Sequence, residues 1–324
     1  MKYLSLPDET RRILPFYLAM EEYAATMQDE DEWFFLWRVE PTVIVGRNQL
    51  ISAEVNVPFC RTHGISLYRR RSGGGCVYAD RGNIMMSYIA RGEEVEPIFR
   101  RYTEQVAAML RGLGLDAKAS ERNDVLVGGR KVSGNALYRT AGHCIVHGTM
   151  LFDTEMEHML GALTPGEEKL AGNGIASVRS RITTLREHLS MDIETFVRHI
   201  RETLCEGEKR LGAEDVKAIE RLTEPYLEEN FLWGSNPRYE VVRSARFEGV
   251  GRIEMWLEMR HDVVSDLELS GDFFSVGNAR EEILRRLQGK RLTTEAVTAA
   301  FAGCDAGEWI LNLKNEQLIN LLTN

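Results

Sequence analysis

Two stretches of this sequence decide its fold and chemistry: RRRSGGGCVYADRGN at residues 69–83 and NDVLVGGRKVSGNALYRTAGHCIVHGTML at residues 123–151. The first places three arginines directly before a serine and three glycines. Consecutive glycines let backbone N–H groups converge on an anion with no Cβ in the way. We therefore expect this run to cradle a phosphate or an acyl oxygen. The alternative for the glycines alone is an ordinary flexible turn.

The second stretch predicts a β-hairpin followed by an apolar strand. Residues 124–127 and 130–132 flank a Gly-Gly pair, which can adopt the positive φ angles that a tight two-residue turn requires. The hairpin presents Lys131, and His147 lies in the strand that follows. Taken singly, a hairpin lysine is usually a solvated surface group and a strand histidine is usually a satisfied core residue.

Composition limits the classes of function. The chain has 324 residues, 44% of them hydrophobic, which favours two domains over one. Its net charge of -9 argues against nucleic-acid binding, which depends on a basic surface. The five cysteines are widely spaced without a Cys-x-x-Cys pair, so they suggest neither a disulfide framework nor a zinc site. With no apolar signal segment and no membrane span, we expect a cytoplasmic protein.

Hydrophobic spacing predicts a mixture of helices and strands, with a domain boundary near residue 240. The turn-rich segment 234–237 separates a domain at residues 1–240 from a smaller one at residues 246–324. The predicted helices cover residues 16–27, 97–113, 192–211 and 216–231, followed by two more at the end of the chain. The predicted strands cover residues 34–46 with a break at Pro41, 65–70, 84–89, 252–260 and 263–274.

The two blocks together resemble the lipoate-protein ligase A family. Three further segments match the family in order: FYLAMEEYAATM at 16–27, FFLWRVEPTVIVGRNQ at 34–49 and KLAGNGIASVRSRITTL at 169–185. The resemblance covers most of residues 1–240. It implies an α+β fold with a mixed, largely antiparallel sheet flanked by helices. Family members that perform the complete reaction carry a small α+β accessory domain at the carboxyl end, and we expect residues 246–324 to form one here.

The resemblance also implies the activity. The family activates lipoate with ATP and Mg²⁺ to lipoyl-AMP, then transfers the lipoyl group to a lysine of a carrier protein. The expected carriers are lipoyl domains of 2-oxoacid dehydrogenase complexes or the glycine-cleavage H protein, and the expected state is a monomer. Neither step needs a covalent enzyme intermediate, so the protein must supply position and charge neutralisation.

The family motifs assign roles to individual residues. Lys131, in KVSG, maps onto the catalytic lysine, whose ammonium can touch both the acyl carbonyl oxygen and the α-phosphate. Asp124 maps onto a residue that helps to hold magnesium, and Arg70 onto a nucleotide contact, whereas Arg69 and Arg71 are read as solvated. The expected ATP and lipoyl-AMP contacts are Arg70, Ser72, Gly73, Gly74, Gly75, Cys76, Val77, Tyr78, Asn83, Asp124, Lys131, Ser133, His147 and Arg179.

Two departures from the family pattern keep alternatives open. Ala79 replaces a histidine after the glycine block, and Asn173 replaces a lysine in the loop that covers the adenylate. Both departures would permit a lipoyltransferase or amidotransferase that uses preformed lipoyl-AMP or a lipoylated donor protein. A module that binds lipoate without chemistry is the third possibility. Related octanoyltransferases use a cysteine nucleophile, but no cysteine stands at the matching positions 120–123, and we read Cys76 and Cys144 as core residues.

Overall fold

The computed structural model describes residues 1–27, 32–49, 51–92, 94–163, 181–233, 241–260 and 263–323. The chain divides into two compact units. The N-terminal unit comprises Met1–Val45, Ile51–Arg70 and Cys76–Leu232, and the C-terminal unit comprises Gly46–Leu50, Arg71–Gly75 and Trp233–Asn324. Two short segments from the first hundred residues, including the glycine run, therefore belong to the C-terminal unit.

The N-terminal unit is built on an eight-stranded sheet and a smaller three-stranded sheet. The eight strands follow the order β11-β1-β2-β6-β10-β9-β8-β7, and the three follow β4-β3-β5. The strands are β1 (Lys2–Ser5), β2 (Trp33–Trp37), β3 (Thr42–Val45), β4 (Ser66–Arg69), β5 (Val77–Ala79), β6 (Asn83–Arg91), β7 (Ala117–Ala119), β8 (Asp124–Val127), β9 (Arg130–Thr140), β10 (His143–Leu151) and β11 (Glu208–Arg210).

Pairing in the large sheet is antiparallel from β2 to β7 and parallel only where β1 meets β2 and β11. The helices of this unit are α1 (Leu14–Thr26), α2 (Ile51–Glu54), α3 (Val57–Thr62), α4 (Val95–Gly112), α5 (Met156–Ala162), α6 (Ile193–Leu204), α7 (Ala213–Thr223) and α8 (Glu229–Trp233, whose last residue falls in the other unit). The predicted mixed, largely antiparallel sheet with flanking helices is confirmed.

The two faces of the large sheet are covered by different helices. The side chains of Trp33, Phe35 and Ile89 share a buried cluster with the apolar residues of α1. On the other face, Tyr88 of β6 stacks on Tyr102 of α4 with ring centroids 5.2 Å apart. We call the face that packs on α1 the inner face, because the candidate site lies on it.

Two predicted helices differ from the structure. The helix predicted over 216–231 is divided into α7 and α8 by a 3-10 turn at Glu224–Leu227 and an extended Glu228. The prediction of a helix over 192–211 fails after Leu204, because Cys205 is already extended at φ -122 and ψ 136. Residues Glu208–Arg210 instead form β11, the parallel edge strand beside β1. Pairing with a distant strand decides the conformation of this polar segment, and the local spacing of hydrophobic residues cannot predict that pairing.

The C-terminal unit is a small α+β module. Its antiparallel sheet has the order β12-β13-β14, with β12 (Val241–Phe247), β13 (Gly251–Arg260) and β14 (Val263–Gly271). The helices are α9 (Ala279–Leu287), α10 (Thr294–Ala300) and α11 (Asn315–Thr323). The strict alternation predicted for residues 252–260 is confirmed as far as Leu257, since Ile253, Met255 and Leu257 are fully buried. The register with β14 shifts between Glu258 and Met259. The expected boundary near residue 240 lies outside the described residues.

Candidate active site

The predicted hairpin forms as expected and places Lys131 at the start of β9. Gly128 and Gly129 have φ angles of 55° and 78°, which the turn requires. Across the hairpin, Asp124 pairs with Gly134, and Leu126 pairs with Lys131. The carbonyl oxygen of Lys131 accepts a hydrogen bond from the backbone N–H of Thr183 at 3.0 Å, so this strand is also supported on its other edge.

An irregularity in the β8–β9 ladder decides where Lys131 points. Lys131 and Gly134 are three residues apart, so on a regular strand their side chains would lie on opposite faces. The register shifts by one residue between the Val125 and Leu126 pairs, which is a β-bulge. The extra residue restores the parity, and Lys131, Asp124 and Gly134 all lie on the inner face.

Lys131 and Asp124 form an ion pair on that face. The Nζ atom of Lys131 lies 2.7 Å from Oδ1 of Asp124, and the two side chains are 35% and 29% exposed. Both groups are therefore open to a ligand. The ammonium occupies space that Gly134 leaves free, because a Cβ at that position would lie 2.5 Å from Nζ. The glycine of KVSG is thus required sterically, because a side chain at this position would displace the Lys131 ammonium.

His147 belongs to a buried polar network on the same face. Its Nδ1 lies 2.9 Å from Oε2 of Glu21, which is fully buried on α1. The same carboxylate accepts a hydrogen bond from Ser87 Oγ at 2.6 Å, and Trp37 Nε1 donates to that hydroxyl at 2.9 Å. Tyr138 Oη donates to Glu21 Oε2, the oxygen beside His147, at 3.4 Å. The orientation of the imidazole is therefore fixed from α1.

Glu21 is a site residue that the sequence reasoning missed. It lies 126 positions from His147, so no local motif links the two. A signal was present nevertheless: two consecutive glutamates interrupt an otherwise apolar helix, and α1 is buried over most of its surface. At least one of the two had to face the interior, where a carboxylate needs a partner.

Arg70 is buried beside this network. It is 4% exposed, and its Nη1 donates to the carbonyl oxygen of Ile44 at 3.1 Å. Burial lowers the pKa of Arg70 to about 10, while the Cys76 thiol and the Glu21 carboxylate act in the opposite direction. The guanidinium therefore remains charged near neutral pH. The interpretation of Arg69 as solvated is wrong, because it is 6% exposed and donates to the carbonyl oxygen of Leu232 at 2.8 Å.

The glycine run has a partner within the C-terminal unit. The N–H of Gly74, at φ 85°, donates to the carbonyl oxygen of Phe273 at 3.0 Å. A Cβ on Gly73 would lie 2.3 Å from the same oxygen. Ser72 is fully buried, and its carbonyl oxygen accepts the N–H of Arg47 at 2.9 Å. Close backbone packing thus explains two of the glycines, and their convergence with Lys131 on one pocket stays a prediction.

Hydrogen bonds within the fold hold the residues that follow the glycine run. Tyr78 in β5 is 1% exposed, and the side-chain amide of Asn83 donates to its carbonyl oxygen at 3.0 Å. The Asp80 carboxylate accepts the N–H groups of Gly82 and Glu155 at 2.8 and 2.9 Å. The family-like Asp-x-Gly-Asn pattern therefore builds the turn into β6.

The remaining predicted residues have varied positions. Ser133 is fully buried and points to the face opposite Lys131, because it pairs with Val125, the neighbour of Asp124. Cys76 is half-buried, and Val77 packs partly buried against the α1 core. Gly75 belongs to the C-terminal unit. Arg179 and Asn173 lie outside the described residues.

Cys144 is a core thiol, as predicted. It is fully buried in β10, and burial raises its pKa to about 11. None of the five cysteines, all of which lie in the described part of the chain, forms a disulfide.

Two family models match the chain. The lipoyl protein ligase A/B catalytic domain matches residues 15–205, and the bacterial lipoate protein ligase C-terminus matches residues 236–322. The chain belongs to the lipoate-protein ligase family. A lipoate-protein ligase of Bacillus subtilis is 34% identical over 317 residues, which is 94% of this chain and 95% of that protein.

Solved structures agree with this membership. A bi-partite lipoate protein ligase of Thermoplasma acidophilum, described with its E2 lipoyl domain, is 28% identical with a TM-score of 0.64, over 74% of this chain and 98% of that one. A lipoate-protein ligase A bound with ATP is 25% identical with a TM-score of 0.62, over 72% and 98% of the two chains.

The residues around Lys131 could hold Mg²⁺ only together with ligands that the protein does not supply. Among the residues that the structure describes, no group of three or more His, Cys, Asp or Glu side chains could hold a metal ion. Asp124 offers one carboxylate, and Mg²⁺ is often bound by one or two carboxylates with phosphate oxygens and waters. The residues therefore fit Mg²⁺ that arrives with a triphosphate.

No helix within the described ranges is long and apolar enough to cross a bilayer.

Proposed function

We propose that this protein is an ATP-dependent lipoate-protein ligase that forms lipoyl-AMP and transfers the lipoyl group to a lysine of lipoyl-domain carriers. The lipoate carboxylate attacks the α-phosphorus of ATP and pyrophosphate leaves. The carrier amine then attacks the acyl carbon and AMP leaves. The observation that carries the proposal is the Lys131 ammonium, held 2.7 Å from Asp124 on the face that also holds His147.

Lys131 supplies the charge that both steps need. Negative charge develops on the acyl carbonyl oxygen and on the α-phosphate oxygens, and one ammonium placed between them stabilises both. Asp124 holds that ammonium before the substrates arrive and would help to hold Mg²⁺, which neutralises charge on the phosphates. No nucleophilic side chain is required, which agrees with the buried position of the Cys144 thiol.

The polar network behind His147 gives the site a fixed wall. Glu21, His147, Ser87 and Trp37 are connected by hydrogen bonds of 2.6 to 2.9 Å on the inner face. We assign this wall to the acyl pocket, and we assign Arg70 to the nucleotide. The family motifs support the roles of Arg70 and His147, whereas Glu21, Ser87 and Trp37 are assigned from the hydrogen-bond network that holds His147.

The proposed partners and setting follow from the same chemistry. The carriers are lipoyl domains of 2-oxoacid dehydrogenase complexes or the glycine-cleavage H protein, and the archaeal relative described with an E2 lipoyl domain supports this class. We propose that the enzyme acts as a cytoplasmic monomer, with residues 1–240 as the catalytic domain and residues 246–324 as the accessory domain.

Pyrophosphate release tests the proposal against the lipoyltransferase alternative. Purified protein incubated with lipoate, ATP and Mg²⁺, but without a carrier, should release pyrophosphate in proportion to the lipoyl-AMP formed. Release that is absent, combined with carrier labelling from synthetic lipoyl-AMP, would establish the lipoyltransferase instead. Lipoate binding without either activity would indicate a binding module.

A further inference from the structure

Two asparagines hold the end of the ladder that carries Asp124 and Lys131. The backbone N–H of Asn135 donates to the carbonyl oxygen of Asn123 at 2.9 Å, and the Asn135 side-chain amide donates to the same oxygen at 3.0 Å. In return, the side-chain amide of Asn123 donates to the carbonyl oxygen of Asn135 at 2.8 Å. We call these two residues the asparagine clamp.

The clamp adjoins the register shift between β8 and β9. Asn123 and Asn135 flank the Asp124–Gly134 pair, and the bulge follows one pair later. A slip of the ladder into regular pairing would move Lys131 to the opposite face, because side chains alternate with a period of two. The hairpin turn fixes one end of this short ladder, and the clamp fixes the other.

The Asn135 side chain itself lies away from the Lys131 ammonium. It pairs with Gly148 of β10, and a Cβ at position 148 would lie 2.0 Å from its Oδ1. Gly134, the neighbouring residue, faces the ammonium, so Asn135 faces the other side of the sheet. Asn135 acts on Lys131 and Asp124 only through the strand that carries them.

The Asn135 side chain is buried in a way that destabilises the fold, so its presence needs an explanation. The side chain is 3% exposed, and its Oδ1 has no hydrogen-bond donor among the residues that the structure describes. Leaving a buried polar atom without a partner is destabilising. A leucine of similar volume would avoid that cost. The asparagine compensates through its side-chain amide, which donates to the carbonyl oxygen of Asn123 and, at 3.3 Å, to Ser133 Oγ.

We propose that the asparagine clamp maintains the bulged register and thereby holds Lys131 beside Asp124 on the inner face. Asn135 is a positioning residue in this proposal, which rests on the proposed ligase function. Removal of the clamp lets β8 exchange between registers, so that the ammonium is correctly placed for only a fraction of the time.

Asn135→Leu is the decisive variant. We expect its melting temperature to be close to that of the wild type, because the buried oxygen without a partner is removed together with the clamp. The kcat for pyrophosphate release should fall roughly tenfold to a hundredfold, since a displacement of about 1 Å at a reacting centre can cost a hundredfold. The KM for lipoate should change little.

Hydrogen–deuterium exchange gives a readout that does not depend on activity. The amides of residues 124–127 should exchange at least tenfold faster in Asn135→Leu than in the wild type, while those of the β6–β10 ladder are unchanged. Asn123→Ala should show the same two effects. In the double variant the losses in kcat should be far from additive, because both substitutions remove the same clamp.

Two further variants separate positioning from general destabilisation. Gly148→Ala pushes on Asn135 from β10 and should reproduce the loss of kcat if Asn135→Leu fails to fold. Thr103→Val is the matched control, because Thr103 is also buried and its hydroxyl donates to the carbonyl oxygens of Phe99 and Arg100 on α4. It should lower the melting temperature modestly and leave kcat unchanged.

The outcomes distinguish this proposal from the proposed function. A wild type that releases no pyrophosphate overturns the ligase assignment, while exchange in residues 124–127 still tests the clamp. An active wild type with unaltered exchange and kcat in Asn135→Leu overturns the clamp alone. A loss of kcat in Thr103→Val as large as that in Asn135→Leu also overturns the clamp. The loss of activity would then result from lower stability of the fold and not from a displaced Lys131.

Discussion

Gly134 leaves open the space that the side chain of Lys131 fills. A Cβ at position 134 would lie 2.5 Å from Nζ and 2.7 Å from Cε of that lysine. We therefore expect Gly134→Ala to displace the ammonium from Asp124 and to lower the rate of carrier labelling on the order of a hundredfold. The melting temperature should barely change, since the clash is relieved by the flexible end of a lysine.

A second glycine provides the matched control for this substitution. Gly112 lies at the end of α4, where a Cβ would meet no heavy atom within 4 Å, so Gly112→Ala should keep full activity. Alanine also favours the helix by about 1 kcal/mol. Wild-type activity in Gly134→Ala would show that the position of the ammonium does not limit the reaction.

The buried carboxylate of Glu21 should contribute strongly to stability. It accepts hydrogen bonds from Ser87 and lies 2.9 Å from the Nδ1 of His147, so Glu21→Ala leaves both without their partner. We expect a loss of about 3 kcal/mol or more in the free energy of unfolding, measured by urea denaturation. The control is Glu104→Ala, which removes an exposed pair with Arg111 and should cost less than about 1 kcal/mol. Similar losses in the two variants would contradict the network.

The Tyr23–Asp215 hydrogen bond between α1 and α7 predicts a pH dependence of stability. Tyr23 lowers the pKa of Asp215, with a smaller contribution from the Gly212 N–H. Burial, with Asp215 adding to it, raises the pKa of Tyr23 to about 12. A lowered carboxyl pKa stabilises the fold above about pH 4, the ordinary carboxyl range, and this contribution is lost as the pH falls. A raised tyrosine pKa stabilises the fold below about pH 10, and this contribution is lost as the pH rises to about 12.

Tyr23→Phe should therefore cost about 1 kcal/mol between pH 5 and pH 9, and less at both extremes. Urea midpoints of the wild type and the variant, compared at pH 3, 7 and 10.5, provide the measurement. A difference that grows towards low pH would have the wrong sign for this interaction.

The cysteines should be dispensable for catalysis. Burial raises the pKa of the Cys144 thiol to about 11, so the native protein should not be alkylated there at pH 8. Cys76→Ser and Cys144→Ser should both retain most of the labelling activity, although a serine hydroxyl in the core will lower the stability of the second variant. Loss of activity in Cys76→Ser with an intact fold would point to a thioester route.

The sequence predicts the parts of this site that local chemistry decides. Gly128 and Gly129 set the turn, so the hairpin and the exposure of Lys131 follow from four or five neighbouring residues. The alternation of β13 is equally local. These features depend on local backbone conformation and on the periodicity of buried residues, and both can be read from consecutive residues.

The parts that distant contacts decide could not be predicted in this way. The partner of His147 is 126 positions away, and the carbonyl oxygen that meets Gly74 comes from Phe273. Arg69 is buried because Leu232 provides an acceptor, and residues 208–210 are extended because β1 offers an edge. The bulge that turns Lys131 to the inner face also depends on the pairing of two strands and leaves no compositional mark.

The most direct test of the central claim is mass spectrometry of a lipoyl domain incubated with this protein, lipoate, ATP and Mg²⁺. The account predicts that the domain gains one amide-linked lipoyl group only when ATP is present. It also predicts that Lys131→Ala lowers this labelling roughly a hundredfold or more, as expected when a charge worth ~2.7 to 4 kcal/mol is removed, without unfolding the protein. Labelling that persists in Lys131→Ala and disappears in Cys76→Ser would contradict the acyl-adenylate mechanism and establish a thiol-based acyltransferase.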